Sequence, residues 1–193
     1  MKNIEISECP FSRLDEYARI PIVFEVHRLL EAVLLGQGLG GIILRERPVV
    51  PSYIKDYDRL DPPLSWPQRF DLTNWGLFLA VGDGQMLGGA VLAWNTPGLE
   101  MLDGRSDLSV LWDIRVLPEY RGQGIGAQLF RQAVAWSGQR GCTQMKIETQ
   151  NVNVSACRFY AAQGAWLGDI RRFAYRGKAS VMNEIQLNWY FDC

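Results

Sequence analysis

Residues 110–130 constrain this 193-residue chain more than any other stretch. An apolar, β-branched-rich run ends at Pro118, glycines follow at 122, 124 and 126, and apolar residues then recur with helical spacing at Leu129, Ala133 and Trp136. The order implied is strand, tight loop, helix. Glycines there let the backbone turn with positive φ and let a ligand approach without a Cβ in the way. A helix that starts on such a loop offers unpaired N–H groups and a positive dipole end, which suit phosphate or pyrophosphate, and Arg121 adds a cation at the rim. An ordinary glycine-rich connection accounts for the bare glycine pattern equally well.

Two other phosphate motifs are poor fits. A Walker loop needs Gly-Lys-Ser/Thr at its end, whereas Gly126 is followed by Ala127 and Gln128. A dinucleotide fingerprint wants an acid about 20 residues on, and the nearest, Glu148, lies just beyond that position. Instead, Arg121-Gly122-Gln123-Gly124-Ile125-Gly126 resembles the acetyl-CoA-binding motif of the GNAT N-acyltransferase superfamily. A second stretch, Asn153-x-x-Ala156-x-x-Phe159-Tyr160-x-x-x-Gly164, resembles the family's next motif, with a helix (about 124–139) and a strand (144–149) between the two. The runs 112–116, 148–151, 156–160 and 188–190 are similar to streptothricin acetyltransferases within that family. The resemblance covers about 76–191, and residues 1–75 fit it only in outline.

The remaining chain is consistent with one α/β domain over 1–193, since 48% apolar and 21% charged residues are an ordinary globular composition. A net charge of -1 gives no basic field for nucleic acid or an anionic membrane. No apolar run reaches the length of a membrane span and the N-terminus does not open a signal peptide, so a cytoplasmic protein without membrane or nucleic-acid partners is expected. Cys9, Cys142, Cys157 and Cys193 are scattered and His27 is the only histidine, so no metal site is expected and the thiols should be reduced. Cys157 reads as a small buried hydrophobe rather than a nucleophile.

Alternation predicts a first strand over 2–7, and apolar spacing from Val23 to Leu34 predicts a helix over 21–34 with His27 on its polar side. Residues 45–76, rich in proline and aromatics, resist assignment; they are expected as loops on the substrate side, either packed ledges or pocket walls. Asp56, Asp58, Asp61 and Asp71 there either attract a cationic amine or are simply solvated. Residues 76–81 and 85–94 predict a hairpin, 99–106 a loop, 155–163 a helix capped by Asn151 or Asn153, and 166–175 and 183–191 two antiparallel strands.

The resemblance implies the GNAT fold: a mixed, strongly twisted sheet flanked by helices, with acetyl-CoA in the splay between two central parallel strands. It implies that backbone groups of Ile114, Arg115 and Val116 pair with pantetheine. The N–H groups of Arg121, Gly122, Gln123, Gly124, Ile125, Gly126 and Ala127 would hold the pyrophosphate, and the Asn153 side chain would meet the cofactor. A strand N–H at Val116 or a neighbour would receive the oxyanion. A lysine-like amine, with a pKa of about 10.4, must lose a proton before it attacks a thioester. Glu148 and Asp113 are the candidate bases, unless they accept structural hydrogen bonds, and Tyr160 is the candidate donor to the leaving thiolate. The activity implied is acetyl-CoA-dependent acetylation of a primary amine on a small molecule, such as a streptothricin-like antibiotic, by a monomer or homodimer. Acetylation of protein N-termini or lysines, and acyl-CoA binding without catalysis, are the alternatives.

Overall fold

A computed structural model describes residues 4–193. The chain forms two compact units, one of residues 4–23, 56–147 and 191–193, the other of 24–55 and 148–190.

In the first unit the strand order is β1 (Ile4–Cys9), β4 (Trp75–Gly82), β5 (Gln85–Trp94), β6 (Leu108–Val116) and, through Ile147, β7 (Gln144–Gln150). The first three junctions are antiparallel. The last is parallel, from Leu108 opposite Gln144 to Leu111 opposite Ile147. Lys2 and Asn3 of the expected first strand lie outside the described residues, and the strand itself continues to Cys9. The β4–β5 hairpin turns on Asp83 and Gly84, both with positive φ, as its Gly-Asp-Gly sequence predicts.

The parallel pair needs a crossover, and α3 (Ile125–Gln139) supplies it. Its buried face is Ile125, Leu129, Phe130, Ala133, Trp136 and Ser137, the i, i+4 spacing read from sequence. Trp136 anchors this helix because Gly76 leaves room for the indole: a Cβ at Gly76 would lie 2.7 Å from the ring. The indole N–H donates to Glu8 of β1 at 2.9 Å. A short helix, α1 (Leu14–Ala18), and a single turn, α2 (Trp66–Arg69), place Tyr17 and Trp66 in a core with Trp75, Leu77, Leu79, Val91 and Val110.

In the second unit, β2 (Phe24–Leu34) and β3 (Ile42–Lys55) form an antiparallel pair. The helix expected over 21–34 is therefore a strand. Ten register pairs with β3 supply its hydrogen-bonding partners, and Asn151 bonds Leu30 as well: Leu30 N donates to the Asn151 carbonyl and Asn151 Nδ2 to the Leu30 carbonyl, both at 2.9 Å. The glycines at 36 and 38 belong to the connection of this two-stranded arm, and both have positive φ. The part of 45–76 that resisted assignment begins as strand through Lys55, with Pro48 and Pro51 within it. His27 sits opposite the irregularity in the register and is exposed, as expected for its residue though on a different element.

The same unit holds α4 (Val154–Ala162), β8 (Trp166–Arg171) and β9 (Gln186–Asp192), the last two antiparallel and both shorter than the runs predicted. Residues 172–185 between them carry turns rather than strand. Asn153 caps α4, its side-chain oxygen accepting from Ala156 N at 3.1 Å. Asn151 instead accepts from Ile185 N at 2.8 Å. All four cysteines are free thiols, three of them buried.

Candidate active site

The glycine loop belongs to the first unit. Gly122 and Gly124 have φ of 75° and 84°, and a Cβ built at either would meet no atom within 4 Å. These two positions therefore need glycine for conformation, and the space beside them is open. Gly126, by contrast, lies inside the first turn of α3 and has no positive φ, so the expectation of three turning glycines is corrected to two. Gly124 is the N-cap of α3; no side chain caps that end and no acid stands in its first turn. Ile125, Gly126 and Ala127 thus start a helix whose first N–H groups have no intrahelical acceptor, an arrangement that fits a pyrophosphate.

The Arg121 side chain fastens this loop rather than hanging at its rim. Its Nε donates to the Val116 carbonyl at 3.0 Å, and its Nη atoms lie 3.4 Å from the carbonyls of Pro21 and Val23. Burial lowers the Arg121 pKa from the ordinary guanidinium value. Gln123 secures the loop from the other side, its amide donating to the Glu119 carbonyl at 3.1 Å.

Upstream, β6 carries Asp113, Ile114, Arg115 and Val116, and there it pairs with β5. The Arg115 guanidinium is buried. It donates to Asp113 at 2.5 Å, to Asp58 at 2.9 Å and to the Ile20 carbonyl at 3.1 Å, with the Tyr17 ring 5.3 Å away. Burial opposes its charge, and Asp113, Tyr17 and Asp58 outweigh that penalty. Burial also raises the Asp113 carboxyl above the ordinary carboxylate range, against the pull of Arg115. Asp113 is thus one side of a buried ion pair, the structural alternative weighed for it from sequence. Gly88 and Gly89 permit this packing: a Cβ on Gly88 would lie 2.6 Å from the Arg115 carbonyl, and one on Gly89 2.7 Å from the Tyr17 ring.

The aromatics of 66–75 form a packed ledge. Phe70 stacks on Trp75 at 5.6 Å, and Trp112 meets Phe70 edge-on at 5.3 Å. The four aspartates of 56–71 are each engaged locally. Asp58 binds Arg115, Asp61 binds Arg69, Asp71 holds Thr73, and Asp56 accepts from the backbone of Asp58.

Glu148 and Tyr160 belong to the second unit. Glu148 is half-buried on β7, and its carboxylate accepts from the Tyr175 hydroxyl at 2.5 Å, from Gln150 at 3.1 Å and from Gln186 at 2.7 Å. Tyr160 is buried on α4, edge-on to Phe159 with ring centroids 5.2 Å apart. Cys157, also buried, lies 3.5 Å from the Thr149 hydroxyl, and burial pushes its thiol up. Tyr175 and Gln186 were not singled out from sequence, and Gln150 only as part of the run 148–151. Glu148 with Gln150, and Gln186 with Asn188, are polar residues two apart in strands, which share a face; that spacing is the signal that could have found them. Tyr175, expected at the end of a strand over 166–175, sits in irregular chain beyond β8.

The model of the acetyltransferase (GNAT) family matches residues 42–165. The chain belongs to the GNAT acetyltransferase family. Within it, this acetyltransferase is 32% identical to streptothricin acetyltransferase of Escherichia coli over 171 residues, 88% of this chain and 82% of that protein. It is 27% identical to streptothricin acetyltransferase A of Bacillus subtilis strain 168 over 139 residues, 72% and 73% of the two chains. Among solved structures, nourseothricin acetyltransferase is similar at a TM-score of 0.77 and 25% identity, covering 98% of both chains. A Bacillus anthracis protein in complex with acetyl coenzyme A reaches 0.78 and 27%, covering 99% of this chain and 100% of that one. The GNAT resemblance and the mixed α/β fold expected from sequence are thereby borne out. The likeness extends well beyond 76–191: the family match starts within β3, and the structural matches reach almost the whole chain.

Proposed function

We propose that this GNAT enzyme transfers the acetyl group of acetyl-CoA to a primary amine of a small molecule, with a streptothricin-class antibiotic as the acceptor. The observation that carries the chemistry is Glu148, a half-buried carboxylate whose recorded partners are all donors. A carboxylate held in place by three donors is the kind of group that can take a proton from an ammonium. The acceptor class follows from the relatives that span most of the chain.

In this reading the open N-terminus of α3 and the loop from Arg121 to Ala127 hold the pyrophosphate, with Asn153 and backbone groups of Ile114, Arg115 and Val116 as further cofactor contacts. Arg121 acts mainly by shaping the loop, since its guanidinium is turned onto protein carbonyls. Glu148, directly or through a water, takes the proton from the amine. The nitrogen then bonds to the thioester carbonyl carbon, the carbon–sulfur bond breaks, Tyr160 donates a proton to the departing thiolate, and the second proton that the nitrogen must lose restores the tyrosine hydroxyl. Asp113 holds Arg115 and takes no proton from substrate.

Glu148→Gln and Tyr160→Phe test these roles. Release of CoA thiol with streptothricin as acceptor should fall about 10²-fold or more in kcat for Glu148→Gln, the scale of general base catalysis, while calorimetric affinity for acetyl-CoA stays near wild type. Turnover at the wild-type rate in Glu148→Gln would remove Glu148 from the mechanism.

A further inference from the structure

The partners of Glu148 form a chain that ends outside β7. Tyr175 comes from the irregular segment between β8 and β9. Its hydroxyl donates to Glu148 Oε1 and accepts from Gln150 Nε2 at 2.9 Å, so its single proton is committed to the carboxylate. Gln150 Nε2 also donates to Oε1, and Gln186 Nε2 donates to Oε2. Gln186 is held by Asn188 at 3.2 Å, and Asn188 by Asp169 of β8 at 3.0 Å. A carboxylate has about four acceptor positions. Two donors on Oε1 and one on Oε2 leave a single position, on Oε2, for the proton of an amine or a water.

We infer that Tyr175 is a positioning residue for Glu148, orienting the carboxylate so that Oε2 is the proton-accepting oxygen. This rests on the reading of Glu148 as the base. Burial, then the charge of Glu148, raises the Tyr175 hydroxyl well above the ordinary phenol range, so it remains a donor. Glu184, which adds to that rise, is paired with Lys55 of β3; Asp169 stands behind Asn188, and Arg172, Arg176 and Lys178 lie on the same segment as Tyr175. The remaining direct partners of Glu148 are neutral amides.

The test compares pH profiles of kcat/KM for wild type, Tyr175→Phe, Gln186→Leu and Glu148→Gln, with streptothricin and acetyl-CoA as substrates. Removing one hydrogen bond to a charged group disfavours that charge, so the acid limb of Tyr175→Phe should move up by about one pH unit. Activity should fall about tenfold on that limb and recover at alkaline pH, with acetyl-CoA affinity unchanged. Gln186→Leu, which removes the donor on the other oxygen, should move the limb the same way and serves if Tyr175→Phe folds poorly. A merely structural tyrosine would lower thermal stability and leave the limb in place, which overturns the inference while Glu148→Gln remains inactive. Full activity in Glu148→Gln, or no wild-type turnover, overturns the base reading and this inference with it.

Discussion

At the scale of single residues, the decisive feature is where the chain places groups without a side chain in the way. Gly124 combines a φ of 84° with open space beside it and an uncapped helix behind it. A β-branched residue there costs roughly 1–2 kcal/mol in backbone strain and fills the space a phosphate needs. Gly124→Val is therefore expected to lower the melting temperature by a few degrees and to abolish acetyl-CoA binding in calorimetry; retained affinity would show that the loop does not hold the cofactor. The motif residues of this loop were legible because glycine spacing is dictated by backbone conformation. The neighbours of Glu148 were not, because strand register and an irregular segment bring Gln186 and Tyr175 to it from 38 and 27 residues away.

At the scale of elements, the parallel pair is clamped where it begins. Asp107, just before β6, accepts from Arg105 at 2.8 and 3.0 Å and from the Thr143 hydroxyl at 2.6 Å, while Thr143 N donates to the Asp107 carbonyl at 2.9 Å. The Arg105 hydrogen bonds, then that of Thr143, hold the Asp107 carboxyl far below its ordinary range. An acid with a lowered folded pKa contributes stability above its unfolded value of about 3.9 and loses it as pH falls. The melting temperature of Asp107→Asn should accordingly fall less steeply than that of wild type below about pH 4. Equal slopes would mean that the clamp does not contribute. Elements with a buried face, such as the β4–β5 hairpin and α3, were readable from periodicity. The β2–β3 arm was not, because a two-stranded pair buries little, leaves no period-two pattern, and its apolar spacing imitates a helix until Asn151 and β3 claim its backbone.

At the scale of the molecule, a near-neutral chain with a net charge of -1 offers no strong field for steering a charged ligand. No helix among the described residues is long and apolar enough to cross a membrane, and none of their His, Cys, Asp and Glu side chains cluster as a metal site would require. The most direct test is mass spectrometry of streptothricin incubated with the enzyme and acetyl-CoA, run beside a peptide with a free α-amine and an internal lysine. Acetylation of streptothricin on one amine, with stoichiometric thiol release and an unmodified peptide, is the result expected. Acetylated peptide with unmodified streptothricin, or CoA release into neither product, would contradict the assignment of a small-molecule amine as acceptor.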